Sequence, residues 1–194
     1  MPHQILTSAK SAMLKEYKDH VEERLQQGIP PLPLNAEQVA DLVELLKSPP
    51  AGEEEFILDL IKNRTPAGVD PAAYVKAAFL TALAKGETSS PLIDKKLATE
   101  LLGTMLGGYN VESLIKLLKD EEVGAIAADG LSKTLLMFNA KYEVIELAAE
   151  NENAKRVVES WSNGEWFTSK SKLPEVIKAI VFRVDGEINT DDFS

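Results

Sequence analysis

Residues 29–64 read IPPLPLNAEQVADLVELLKSPPAGEEEFILDLIKNR, and the reading of this stretch decides the fold. Pro30, Pro31 and Pro33 each fix their own φ and push the preceding residue out of the helical region, so the first six residues predict a rigid, extended spacer. Asn35 then opens N-A-E-Q, an N-cap with Gln38 placed to reach back, and Val39, Leu42, Val43 and Leu46 follow at helical spacing. Ser48-Pro49-Pro50 ends that helix. Glu53, Glu54 and Glu55 open the next, whose apolar side is Ile57, Leu60 and Ile61. Three adjacent carboxylates suit a metal or acid–base site, but they also complement the positive end of a helix, which is the simpler account.

The same grammar extends in both directions. Upstream, Ala12–Gln27 predicts a charged amphipathic helix with Met13, Tyr17, Val21 and Leu25 on one stripe and Gly28 as its C-cap. Downstream, Asp70-Pro71 supplies a cap and an N1 proline for a helix with a stripe of Val75, Phe79, Ala82 and Leu83, and Ala73, Ala77 and Ala78 permit close helix contact. Further helices are expected over Asp94–Leu106, after a cap at Asn110 (Val111, Leu114, Ile115, Leu118), between Asp120 and Phe138 as two helices or one broken near Gly130, and over Tyr142–Ala149 and Ala154–Trp161. Strand-like alternation is absent before about residue 173. The fold expected is therefore all-α, an α-solenoid or irregular bundle of helix hairpins without a sharp repeat consensus. After Pro174 the run Val176, Ile177, Ala179, Ile180, Val181, Phe182, Val184 predicts a β-strand closing at Asp185-Gly186, and one strand cannot fold alone.

Composition narrows the function. The 194 residues carry 31 acidic and 21 basic side chains, a net charge of −10, so the average surface repels phosphate backbones. There is no cysteine, which removes disulfides, thiolate nucleophiles and iron–sulfur ligation from this chain. Neither a spanning apolar stretch nor a signal-peptide core is visible, so a cytoplasmic protein without membrane contact is expected.

Raw material for catalysis is thin. His3 and His20 are the two histidines; Glu16 and Glu23 flank His20 at helical spacing and form one conceivable metal face, against the plainer reading of an exposed charged face. The run Gly103-Thr104-Met105-Leu106-Gly107-Gly108 lacks the strand and Lys-Ser/Thr of a phosphate loop, and is read as close packing at Gly103 with a helix stop at Gly107-Gly108. Trp161, Trp166 and Phe167, in WSNGEWF, form either a stacking or partner-binding surface or an anchor of the last helix to the core. Thr190, Asp191 and Asp192 sit in the loop after the expected strand; alone they are a turn signal.

Several stretches in order, IPPLPLNAEQ, LVELLKSPPAGEEEFILDLIKNR, GVDPAAYVKAAFL, AKGE, ELLGTMLGGYN, TLLMF and WSNGEWF, resemble the N-terminal region of the bacterial aconitase B family, in near-continuous register from about Met13 to the end. The resemblance implies a HEAT-like helical domain over residues 13–172, an N-terminal extension over 1–12, and over 173–194 the first strand and loop of a truncated swivel domain, in which Thr190 and Asp191 match a Thr-Asp pair leading toward the family's active site. It implies association, homodimerisation and active-site access as the module's roles, the remaining domains of the parent enzyme as partners, and, as an alternative, regulatory RNA binding. In that family a four-iron cluster acts as Lewis acid in isomerising citrate to isocitrate; its ligands lie in later domains, so this chain alone is expected to be non-catalytic and to carry no cofactor.

Overall fold

In the computed structural model the described residues are 2–134 and 137–180, with side chains described from Ala12 onward. They form ten helices: α1 (Pro2–Gln26), α2 (Ala36–Lys47), α3 (Glu54–Asn63), α4 (Pro71–Ala84), α5 (Lys95–Gly103), α6 (Val111–Leu117), α7 (Gly124–Ser132), α8 (Ala140–Leu147), α9 (Glu152–Ser162) and α10 (Glu165–Thr168). Helices α2, α4, α5, α7 and α9 lie successively side by side. Helices α1 and α3 pack on α2, α6 bridges α7 and α8, and α8 and α10 pack on α9. One aliphatic core runs through the row, with Leu42, Ile61, Leu80, Leu102, Leu114 and Leu131 fully enclosed.

Local chemistry sets the helix boundaries. Asn35 accepts the Gln38 N–H at 2.9 Å, while Gln38 Oε1 accepts the Asn35 N–H at 3.0 Å, the reciprocal pair expected of this cap. The spacer that precedes it is strapped to α1 by three side chains about a turn apart: Tyr17 Oη donates to Leu32 O (2.8 Å), His20 Nε2 accepts the Leu32 N–H (3.0 Å), and Arg24 Nε donates to Pro30 O (2.9 Å). Asp70 accepts the Ala72 N–H at 2.7 Å and Pro71 opens α4. Helix α4 is apolar on most sides because it is enclosed by α2 and α5.

The structure departs from the sequence reading at several places. On α1, Met13, Leu14 and Tyr17 are buried, Val21 is half-buried and Leu25 is exposed, because packing on α2 centres on the Met13–Tyr17 turn. On α4, Phe79 and Leu83 are buried, Val75 and Ala82 half-buried, and Ala78 exposed; close contact falls to Ala72, Ala73 and Ala77. Helix α5 stops at Gly103 rather than Leu106. Asn110 does not cap α6: its side chain turns inward, and Nδ2 donates to Leu102 O at 2.7 Å. The described residues between Asp120 and Phe138 hold one helix, α7, which runs through Gly130 unbroken. A Cβ on Gly103 would lie 2.9 Å from the Gly130 Cα, so both glycines serve a backbone-to-backbone crossing of α5 and α7. The strand expected from Val176 is not formed over residues 176–180, which have no regular structure; the rest of that strand lies outside the described residues. Among the described residues there is no second strand, so this apolar run has no ladder to join there.

Candidate functional site

The aromatic residues singled out in the sequence do converge. Helix α9 ends at Ser162, Gly164 takes a left-handed turn (φ 63°) and α10 follows at once. Trp161 is half-buried, and its Nε1 donates to Leu131 O on α7 at 3.0 Å, so this residue is the anchor. Trp166 and Phe167 meet edge to face, with ring centroids 4.8 Å apart; Trp166 is half-buried and Phe167 exposed. Lys170 places its Nζ 4.2 Å from the Trp166 ring centroid, a cation–π contact. Together with Met137, Lys141 and Ser160, the three aromatics line a cavity of about 330 Å³.

Two further concavities adjoin it. A groove of about 790 Å³ runs from Gly68 and Val69 past Leu106, Val111 and Ile115 to Met137 and Phe138. The third, about 700 Å³, lies between Leu106, Gly130, Lys133 and Lys170. Phe138 lines the first two, Trp166 the first and third, and Leu106 the second and third, so the three make one continuous surface. Among the described residues, Leu106 and Phe138 are the two non-glycine residues with positive φ, 64° and 47°, and they are 60% and 80% exposed. Bulky side chains in left-handed backbone cost about 1–3 kcal/mol each, here without any burial in return. Nothing in the sequence distinguishes these two positions, because strain of this kind is imposed by the surrounding loops.

The other sequence candidates resolve differently. His20 holds the proline strap instead of facing Glu16 and Glu23 for a metal, and among the described residues no group of three or more His, Asp or Glu is placed to hold one. The side chain of His3 is outside those described. Glu53 accepts the Lys18 ammonium on both oxygens at 2.6 Å, and Glu54 and Glu55 occupy the first turn of α3. Gly107 and Gly108 belong to the α5–α6 loop, with Gly108 against the carbonyl of Gly68. Thr190, Asp191 and Asp192 lie outside the described residues. One group escaped the sequence reading altogether: Lys76 on α4 is 3% exposed, and burial lowers its ammonium pKa from 10.5 to about 8.

What these residues define is an all-helical domain whose concave surface is aromatic and aliphatic rather than a cluster of titratable groups. Residues 16–167 match the family model of the aconitate B N-terminal domain, and the chain belongs to that family. It is 61% identical over 183 residues to an aconitate hydratase B of Pseudomonas aeruginosa, 58% to that of Escherichia coli and 46% to that of Helicobacter pylori. Those alignments cover 93–94% of this chain and 21% of each relative. The chain thus spans about a fifth of their length. A four-iron cluster does not fit the donor set here, since the sequence contains no cysteine. No helix among the described residues is long and apolar enough to cross a membrane.

Proposed function

We propose that this chain is a non-catalytic, HEAT-like helical module that serves protein association in an aconitate hydratase B-type enzyme. The observation that carries the reading is the continuous concave surface joined by Phe138, Trp166 and Leu106, two of which hold strained backbone while exposed. A contiguous run of exposed apolar side chains supports a contact face. Its partners are the remaining domains of such an enzyme and a second copy of the chain, and its position governs access to the active site. Residues 13–172 form the module; residues 1–12 are an extension, and 173–194 begin a swivel domain whose Thr190-Asp191 pair leads toward that site. Leu173, Val176, Ile177 and Ile180 are 68–87% exposed, apolar side chains that further domains of such an enzyme would cover. The citrate–isocitrate chemistry and its four-iron cluster belong to the whole enzyme, in a cytoplasmic setting. RNA binding draws support only from Lys133, Lys141 and Lys170 around Trp166; against a net charge of −10, three cations give a weak electrostatic term.

Light scattering across a concentration series, with titration of the chain into the separately prepared remainder of such an enzyme, tests the proposal. Concentration-dependent dimers or a saturable complex are expected, weakened at least about tenfold by Phe138→Asp, as for a buried aromatic anchor. A strict monomer that forms no complex overturns it.

A further inference from the structure

The cavity between α8, α9, α10 and the segment that follows α7 has features that association alone does not require. Its volume of about 330 Å³ falls at the lower end of small-molecule sites, which are mostly apolar with a few convergent polar groups. Trp161, Trp166 and Phe167 form the walls, and Met137, 5% exposed, lies beneath them as an adaptable surface. Ser160 is 4% exposed, lines the cavity, and its hydroxyl makes no hydrogen bond among the described residues. The neighbouring Thr134 hydroxyl is committed to Gly130 O at 2.9 Å. Ser160 Oγ is not one of the buried unpaired polar atoms, which among the described residues are Asn110 Oδ1 and Ser132 Oγ, so this hydroxyl reaches solvent through the cavity and is free to donate to a ligand there. At the mouth stands Lys141, and Lys170 is held over the outer face of Trp166; among the described residues neither is paired with a carboxylate, each resting on an aromatic ring.

We propose that this cavity binds a small aromatic anion: a flat one- or two-ring body seated between Trp161, Trp166 and Phe167, with its carboxylate or sulfonate taken by Lys141 and a polar edge of the ring body accepting from Ser160. The rings supply a sequence of faces and edges suited to stacking, and the cation at the mouth selects the sign of charge. The cavity shares Phe138 and Met137 with the adjoining groove, so the ligand is measured on the chain by itself, where failure of ligand binding and failure of partner binding are read separately.

The chain holds two tryptophans, and both line the cavity, so intrinsic fluorescence reads its occupancy. The probe is 8-anilinonaphthalene-1-sulfonate, compared with its uncharged analogue N-phenyl-1-naphthylamine. Expected is saturable one-to-one quenching of tryptophan emission by the sulfonate, with Lys141→Ala weakening it about fivefold, the scale of one partly exposed ion pair, and leaving the uncharged analogue unchanged. Ser160→Leu, which fills the cavity, should abolish saturable quenching by both probes. Circular dichroism verifies that each variant is folded, and Lys141→Ala, a change on an exposed helix, decides the matter if Ser160→Leu fails to fold. Unmoved tryptophan emission at high probe, quenching without saturation, or equal weakening of both probes by Lys141→Ala overturns the proposal.

Discussion

Replacing Lys76 by methionine should make this domain more stable, and by an amount that depends on pH. The side chain is enclosed on α4 and has no hydrogen bond or ion pair among the described residues. Its pKa falls from 10.5 to about 8 through burial, and each tenfold change in a protonation equilibrium is about 1.4 kcal/mol. Holding the ammonium in place therefore costs roughly 3 kcal/mol below pH 8. Between pH 8 and 10.5 the unfolded chain binds more protons than the folded one, so wild-type stability rises with pH in that window. By pH 10 the cost has shrunk to about 1 kcal/mol. Methionine keeps the unbranched stem and removes the charge. At pH 7 Lys76→Met should raise stability by about 1–3 kcal/mol, a gain of about 2–4 °C in Tm per kcal/mol for a chain of this size, and most of that advantage should vanish at pH 10. Paired urea titrations of both proteins at the two pH values isolate the effect, because every other lysine titrates alike in each. A variant that is destabilised at pH 7, or whose advantage is the same at both pH values, refutes the argument.

Three further outcomes follow from particular contacts. Gly130→Ala places a methyl 2.8 Å from the Gly103 Cα; alanine normally favours a helix, so a loss of about 1–3 kcal/mol in thermal or chemical unfolding would register the overpacked crossing. Asn35→Ala removes one half of the reciprocal cap and should cost about 1 kcal/mol, with earlier hydrogen exchange confined to the first turn of α2. Leu106→Gly relieves left-handed backbone (φ 64°) and should leave stability equal or raise it by up to about 1 kcal/mol, while weakening any complex measured by calorimetry.

What could be read from the sequence was what the chain settles over three or four residues. Asn35 with Gln38 and Asp70 with Pro71 declare helix starts because donor and acceptor are neighbours, and the structure keeps both. Gly103 was legible as a packing residue, but its partner Gly130 looked like a break, because a glycine inside a helix is ambiguous until the crossing helix is known. Asn110 looked like a cap, yet the Leu102 carbonyl at the end of α5, which also accepts the Met105 N–H, takes its amide instead. His20 and the prolines that follow Gly28 were each recognised without their connection, since the strap exists only once the chain reverses. The cavity was half visible: WSNGEWF announced the aromatics, whereas Ser160 and Lys141 enter it through the packing of α8 on α9. Lys76 gave no signal, because a lone lysine among alanines differs from a surface lysine only after α2 and α5 close over it.

The order in which the helices touch bears on how the domain comes together in time. The principal contacts each join elements one or two places apart along the chain, from α1 on α2 through to α10 on α9. Chain closures are therefore short, and such topologies fold rapidly compared with those that must first unite distant segments. Order can spread from any hairpin to its neighbours, as it does along stacked arrays. The same geometry isolates failure: opening of α9 and α10, where the aromatic cavity lies, strips contacts from α7 and α8 but none of the principal ones from α2 and α4. Hydrogen exchange should accordingly grade from one end of the row to the other instead of rising everywhere at once.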